Sequence, residues 1–383
     1  MAVSWTKTTI GAIAEVTDYV ANGSFATLRE NVHYKNEEDY AVLVRLADYT
    51  NNFDKSKFVY IDEHAYNFLA KSRLEGGEII MSNVGSIGKL FICPVLDKPM
   101  SLAPNSILIR TPYNKFFYYL LSSHHYQAAI KGISSQTALP KFNKTEFKKI
   151  TVSIPDINEQ KRIVEELDLL TGIIDKKNAQ LRDLNALAQS IFYEMFGDPV
   201  TNEKGWPTAQ LSSVSTLLNG RAYKQDELLN TGKYRVLRVG NFFTNSNYYY
   251  SDLELEDDKY CDNGDLLFAW SASFGAFIWS GEKVIYHYHI WKVLFDNARL
   301  NKEFYRFLLN TMTSSFLNDV HGIGMVHLTK AGMEQYVLPI PPMEKQEEFA
   351  NKIASIEKQR TVMQASLDGA NQLLTSRMSF YFE

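Results

Sequence analysis

Cysteine is nearly absent from this chain: of its 383 residues only Cys93 and Cys261 carry a thiol. Two thiols so far apart argue against a disulfide framework or a thiolate zinc site, and they suit a reducing cytosol. Long apolar runs are missing as well. No stretch reaches the ~18 consecutive apolar residues of a membrane span, so no membrane association is expected. The opening MAVSWTKTTIGAIAEV has no basic segment leading into an apolar one, which argues against a secretory leader and for a cytoplasmic protein. Nor is there an excess of positive charge. The formal net charge of −4 argues against a wholly basic nucleic-acid coat, but a local basic face opposite an acidic one remains compatible with it.

Catalytic signatures are missing too. GSIGKL (85–90) has a misplaced first glycine for a phosphate loop, and Leu90 stands where a magnesium-binding Ser or Thr belongs. His287 and His289 lie two apart on an expected strand and would share a face. No third ligand follows at a recognisable spacing, so they read as packing or edge histidines, and no metal site is expected. His124 and His125 fall on an expected helix and point apart. PDINEQK lacks the separation of acids that a nuclease metal site needs. There is no Asn/Asp-Pro-Pro-aromatic motif, no Gly-rich methyl-donor loop, no Gly-x-Ser-x-Gly and no Cys/His nucleophile arrangement. The chain reads as non-catalytic.

What the sequence does have is aromatics, with 23 Phe and 22 Tyr, and a length that suits two to three domains with cores of their own. It also repeats itself. IPDINEQKRIVEEL begins at 154 and IPPMEKQEEFANKI at 340. Trp5 opens WTKTTIGAIAEV and Trp206 opens WPTAQLSSVSTL, with Asn22-Gly23 and Asn219-Gly220 following. VLVRLADYTNN (42–52) matches RVLRVGNFFTN (235–245), pairing Arg45 with Arg238 and Asp48 with Asn241. GGEIIMSNVGSIGKLFI (76–92) matches NGDLLFAWSASFGAFIW (263–279), and NKFFYYLLSS (114–123) matches NKEFYRFLLN (301–310). Six matches in one order indicate an internal duplication and a pseudo-two-fold molecule. The fold class is α+β: two copies of an α/β domain, each followed by a long helix. Short β-rich runs such as GEIIMSNVG and KVIYHYHIWKVLF alternate with turns and one helix, KFFYYLLSSHHYQAAIKG. The boundaries fall at 1–154, 155–198, 199–340 and 341–383.

The two helices carry a seam of alternating four- and three-residue spacing. In the first it runs through Ile163, Leu167, Leu170, Ile174, Lys177, Leu181, Leu184, Ala188, Ile191 and Met195. In the second it runs through Phe349, Ile353, Ile356, Arg360, Met363, Leu367, Ala370, Leu374 and Arg377. Spacing of 3.5 residues over about five heptads marks a coiled-coil seam. The helices either pack on their own domains or, as the duplication favours, on each other. About 38 residues would make a rod of roughly 57 Å. Pro155 and Pro341-Pro342 set the helix starts, Asp156 is placed to cap the first, and Gly197-Asp198-Pro199 stops it.

The segment 130–149 holds Lys131, Lys141, Lys144, Lys148 and Lys149 against one acid, Glu146, with Ser134, Ser135, Gln136, Thr137 and Asn143 between them. Lysines attract phosphate without regard to sequence, while amides and hydroxyls can read base edges. The bland reading is a solvated loop. Its second-copy counterpart holds His321, His327 and Lys330. The repeated turn leads to Ser82, Asn83, Ser86 and Lys89 in one copy and to Trp270, Ser271 and Ser273 in the other. A shared frame with different tips suits two readers of different DNA sequences, with Arg238 and Asn241 added from the matched turn. It also suits two protein-binding modules on a duplicated scaffold.

The order of domain, Pro-led helix, domain, Pro-led helix, with Pro155 before NEQKRI, Pro341 before EKQEEF and the first helix ending in QSIFYEMFGD, closely resembles the specificity subunit of type I restriction-modification systems. The resemblance covers essentially the whole chain. The second copy departs from it with Lys345 before Gln346 and an ending, SRMSFYFE, without Gly-Asp. The resemblance implies two target recognition domains, each reading half of a bipartite duplex site. It implies helices paired antiparallel as spacer and as dock for two methyltransferase subunits, with motor-nuclease subunits joining the complex. S-adenosylmethionine, ATP and Mg would belong to those partners, and this chain would need no cofactor.

Overall fold

Strand Ile79–Ser82 reads IIMS and is buried along its whole length, so both faces need cover. Ile79 and Met81 face a core built on the helix Asn114–Ser122, with Phe116 and Leu120. Ile80, one residue between them, faces a second core with Val42, Val44 and Phe91. The period of two thus divides one strand between two hydrophobic layers.

The computed structural model describes residues 5–135, 137–271, 273–318 and 328–383. Two units emerge, Met1–Lys177 with Ser366–Glu383, and Asn178–Ala365. In the first unit one four-stranded sheet runs Glu15–Asp18, Ser106–Arg110, Ile79–Ser82, Leu90–Ile92, antiparallel throughout. A second runs Tyr60–Ile61, Ala41–Val44, Met100–Leu102, Arg73–Leu74, its middle pair parallel. Thr6–Thr9 and Thr151–Ile154 pair where the domain hands over to its helix.

The second unit repeats this order strand for strand. Ser215–Asn219, Ile290–Phe295, Leu266–Ser271 and Ser273–Ile278 form one sheet. Tyr249–Ser251, Tyr234–Leu237, Val284–Tyr286 and Tyr260–Cys261 form the other, again with a parallel middle pair. Leu266 and Phe268 face the helix Lys302–Asn318, while Leu267 faces the second sheet. The duplication read from the sequence is therefore a duplication of topology.

Two local expectations fail. KFFYYLLSSHHYQAAIKG is not one helix but two, Asn114–Ser122 and His124–Gly132. Ser123 takes an extended conformation, and its hydroxyl donates to the Leu120 carbonyl at 2.8 Å, the local competition that lets serine interrupt helices. His287 and His289 do not sit on a strand. They flank the turn between Val284–Tyr286 and Ile290–Phe295, where the His289 N–H donates to His287 Nδ1 at 3.4 Å.

The long helices are Ile157–Phe196 and Met343–Phe382. Asp156 Oδ1 accepts from the N–H groups of Asn158 and Glu159, and Gly197 closes the first helix in the left-handed region at φ +74°. The repeated glutamine has a job in each copy. Gln160 Nε2 donates back to the Pro155 carbonyl at 2.9 Å, and Gln346 Nε2 donates to the Pro341 carbonyl at 2.7 Å. Both routes foreseen for the helices hold at once. In the first unit Ile163, Val164 and Leu167 share a core with Tyr381 and Phe382 and with the domain's own Phe116 and Phe147. Glu166 takes Arg377 and Tyr381, and Arg162 reaches Tyr381, so one chain rises as the other falls. In the second unit Phe192 and Phe196 meet Phe349 edge to face with centroids 5.6 and 5.5 Å away, beside Phe304 of the domain. Lys352 meets Met195 while Leu184 and Met363 line one groove, which gives the same antiparallel sense.

Candidate nucleic-acid interface

In the first unit the two stretches singled out for DNA lie side by side. Val84 bridges Lys141, the Gly85 N–H donates to the Pro140 carbonyl at 2.9 Å, and the Phe142 N–H donates to the Asn83 carbonyl at 3.1 Å. Gly85 and Gly88, both at positive φ, make the tip between Ile79–Ser82 and Leu90–Ile92 tight enough to project. Ser86 and Lys89 lie on this tip, Lys141 on the segment bridged to it and Lys131 in the last turn of His124–Gly132, and among the described residues none of the three ammonium groups has an ion-pair partner. Lys89, Lys131 and Lys141 are exposed.

Other predicted side chains are committed to the fold. Lys144 pairs with Asp18 at 2.8 Å. Asn143 caps the helix Lys144–Lys148 by accepting the Glu146 N–H at 2.9 Å. The buried Ser82 hydroxyl donates to Val84 O, Ser134 to Lys131 O, and the Ser135 and Thr137 hydroxyls face each other at 3.2 Å. Gln136, His321 and His327 lie outside the described residues.

The second unit builds its counterpart from different side chains on the same frame. The Leu328 N–H donates to the Trp270 carbonyl, as Phe142 does to Asn83. Thr329 caps Lys330–Glu334 as Asn143 caps its helix, and Lys330 pairs with Glu334 at 3.7 Å. Trp270 stacks on Trp291 at 5.5 Å and donates Nε1–H to Tyr288 O. Ser273 faces Ser271 across the hairpin.

Each unit has a concavity at the matched turn. In the first, Arg45, Ser82, Ser86 and Asn105 line about 390 Å³. In the second, Arg238, Asn241, Ser271, His287 and His289 line about 410 Å³. Burial, with His289 and Arg238 nearby, pushes the His287 imidazole down to about 4, so it is neutral at pH 7. Sequence reasoning set these histidines aside and missed Tyr248 and Tyr249, which lie under the guanidinium groups of Arg235 and Arg238 at 5.3 Å each. The signal was present as two arginines three apart facing an aromatic run, NYYYS. Among the described residues no group of three or more His, Cys, Asp or Glu is placed to hold a metal.

The sequence matches the model of the type I restriction modification DNA specificity domain twice, over residues 3–185 and 203–370. The chain belongs to this family. It is similar to the type I restriction enzyme StySPI specificity subunit of Salmonella potsdam, 22% identical over 382 residues that span 86% of this chain and 80% of that one. Its fold is shared with the S subunit of a type I restriction-modification system from M. genitalium, at a TM-score of 0.54 and 12% identity, covering 98% of this chain and 96% of that one. A chain from a structure describing complex assembly and conformational transition of the type I restriction-modification system overlays at 0.53, again 12% identical, covering 100% and 99%. The two matches of the specificity domain coincide with the two copies of the sheet pair, and each carries one of the tips.

Proposed function

We propose that residues 1–154 and 199–340 of this DNA specificity subunit are target recognition domains, each reading one half of a bipartite duplex site. The segments 155–198 and 341–383 would set the spacing between the half-sites and dock two methyltransferase subunits. The observation that carries this reading is one frame bearing two different tips: an identical backbone link holds Asn83 beside Phe142 and Trp270 beside Leu328, while the side chains that project differ. Ser86, Lys89, Lys131, Lys141 and Arg238 are the direct DNA contacts in this reading, with Asn83, Trp270, Ser271 and Ser273 shaping the surface. Apolar side chains left exposed on the helices, Leu169, Leu187 and Val362 among them, suit burial by partner subunits. The chain supplies the address. Methyl transfer to adenine and cleavage, with S-adenosylmethionine, ATP and Mg, fall to methyltransferase and motor-nuclease partners.

Exchange of residues 82–89 for another tip tests the proposal. Methylation mapping of the complex should show one half-site changed and the other kept. Copurification of a DNA adenine methyltransferase is expected with the unaltered chain. No methyltransferase and no sequence preference would defeat the reading and favour a protein-binding scaffold.

A further inference from the structure

The duplication sets up a controlled comparison at one turn. In the first unit the Arg45 N–H donates to Asp48 Oδ2 at 2.8 Å. In the second the Arg238 N–H donates to Asn241 Oδ1 at 2.8 Å. The backbone task is the same, and a carboxylate does it in one copy and an amide in the other.

The consequence for the arginine is opposite. Asp48 is buried, and its oxygens also take the Arg45 guanidinium, Nε at 3.2 Å and Nη2 at 2.6 Å. A third bond runs from Arg45 Nη2 to the Lys57 carbonyl at 2.7 Å. Arg45 is therefore consumed by its own fold. Asn241 is neutral and turns its Nδ2 to the Ser246 carbonyl at 2.8 Å, so it offers the arginine nothing. Arg238 is exposed, and among the described residues no carboxylate or carbonyl accepts from its guanidinium. Its planar group lies over the Tyr249 ring at 5.3 Å. A guanidinium attracted to an aromatic ring still has its forked N–H donors to offer a ligand. It opens onto a concavity whose lining contains no acid.

We infer that Arg238 is the base-reading residue of the second recognition domain, placing its fork on the N7 and O6 acceptors of a guanine in the major groove, and that Asn241 is a positioning residue that leaves it available. Arg45, at the matched position, reads nothing. This rests on the recognition function proposed above. A guanine edge presents two acceptors in one plane, as the fork requires, and the other base edges do not. The Tyr249 ring restricts where the guanidinium of Arg238 can go, which a phosphate contact does not need.

The test uses the full chain, with the methyltransferase that copurifies with it, and a pool of duplexes carrying two randomised blocks. Unmodified protein should show a guanine preference at one position of the second half-site of roughly 5- to 150-fold, the range a bidentate arginine contact confers. Arg238→Ala, at an exposed site, should bring that preference close to one, Arg238→Lys should lower it, and both should leave the first half-site unchanged. Asn241→Asp should do the same, because it rebuilds the Asp48 trap around Arg238. Arg45→Ala should lower the melting temperature and leave both base preferences intact. Uniformly weaker binding by Arg238→Ala with all preferences kept would mark a phosphate contact and overturn the inference. So would an Asn241→Asp protein that keeps its melting temperature and its guanine preference. An unmodified complex without any preference would instead overturn the recognition function itself, and this assignment with it.

Discussion

Lys141 and Lys144 are three positions apart and carry the same charge, yet they have different work. Lys144 neutralises a largely buried Asp18, while among the described residues Lys141 has no ion-pair partner. Double substitution of Lys89 and Lys141 by alanine should weaken binding to all duplexes and flatten the log–log salt slope by about two phosphate contacts' worth. Lys144→Ala should leave the slope unchanged and lower thermal stability, since Asp18 loses its partner. A titration of affinity against salt separates the two. His287 makes a prediction of a different kind. Its folded value of about 4 lies below the ordinary 6.5, so the unfolded chain binds the extra proton between those limits. Stability is then present in full above pH 6.5 and is lost as pH falls toward 4. Protonation would also break the bond that Nδ1 accepts from the His289 N–H. His287→Gln keeps an acceptor without the titration, and urea midpoints at pH 7 and pH 5 should differ less in this variant than in the parent.

At the scale of an element, the repeated glutamines show why the chain says nearly the same thing twice. Each helix must begin where a strand has just ended, with a proline that donates nothing. The glutamine one turn in ties the helix to that proline's carbonyl. Gln346 is fully buried and does more: it accepts the Asn301 N–H at 2.8 Å and donates to the Arg299 carbonyl at 2.9 Å, so the start of Lys302–Asn318 hangs on it. Gln346→Ala leaves three backbone groups without their partner, the Pro341 carbonyl among them buried, and should cost about 2 kcal/mol, whereas Gln160→Ala should cost about 1 kcal/mol, read from denaturant unfolding. Helix starts, seams and the duplication were legible because proline, aspartate and the 3.5-residue spacing act locally. The break at Ser123 was not, because a serine inside an apolar run can continue a helix or, as here, turn its hydroxyl and N–H back on the Leu120 carbonyl while its own carbonyl starts the next helix, and the residue type does not say which. The opposite fates of Arg45 and Arg238 were invisible for a similar reason. Their sequence contexts match, and one oxygen-for-nitrogen exchange three residues away decides them.

For the molecule as a whole, the first unit is completed by the far end of the chain. Tyr381 and Phe382 enter its core, and Arg377 and Tyr381 engage Glu166. A fragment of residues 1–198 loses that cover but keeps a helix whose own end is nearly the same. By the repeat, Phe196 stands where Phe382 stands, Phe192 where Met378 stands, and Met195 where Tyr381 stands. Two fragments should therefore exchange helix ends and form a symmetric antiparallel dimer, since an isologous interface needs only self-complementarity. Lys177 falls near its centre and can extend its amine to solvent along the seam. The substitute is imperfect, because Ile191 stands where Arg377 does and leaves Glu166 without its guanidinium. A peptide of residues 366–383 should accordingly dissolve the dimer and bind each fragment one to one. Sedimentation at about micromolar concentration, with and without the peptide, distinguishes the species. With methyltransferase present, the dimer should methylate a palindrome of the first half-site in inverted repeat. A fragment that stays monomeric without the peptide, or a dimer that the peptide leaves intact, would show that the two helix ends are not interchangeable.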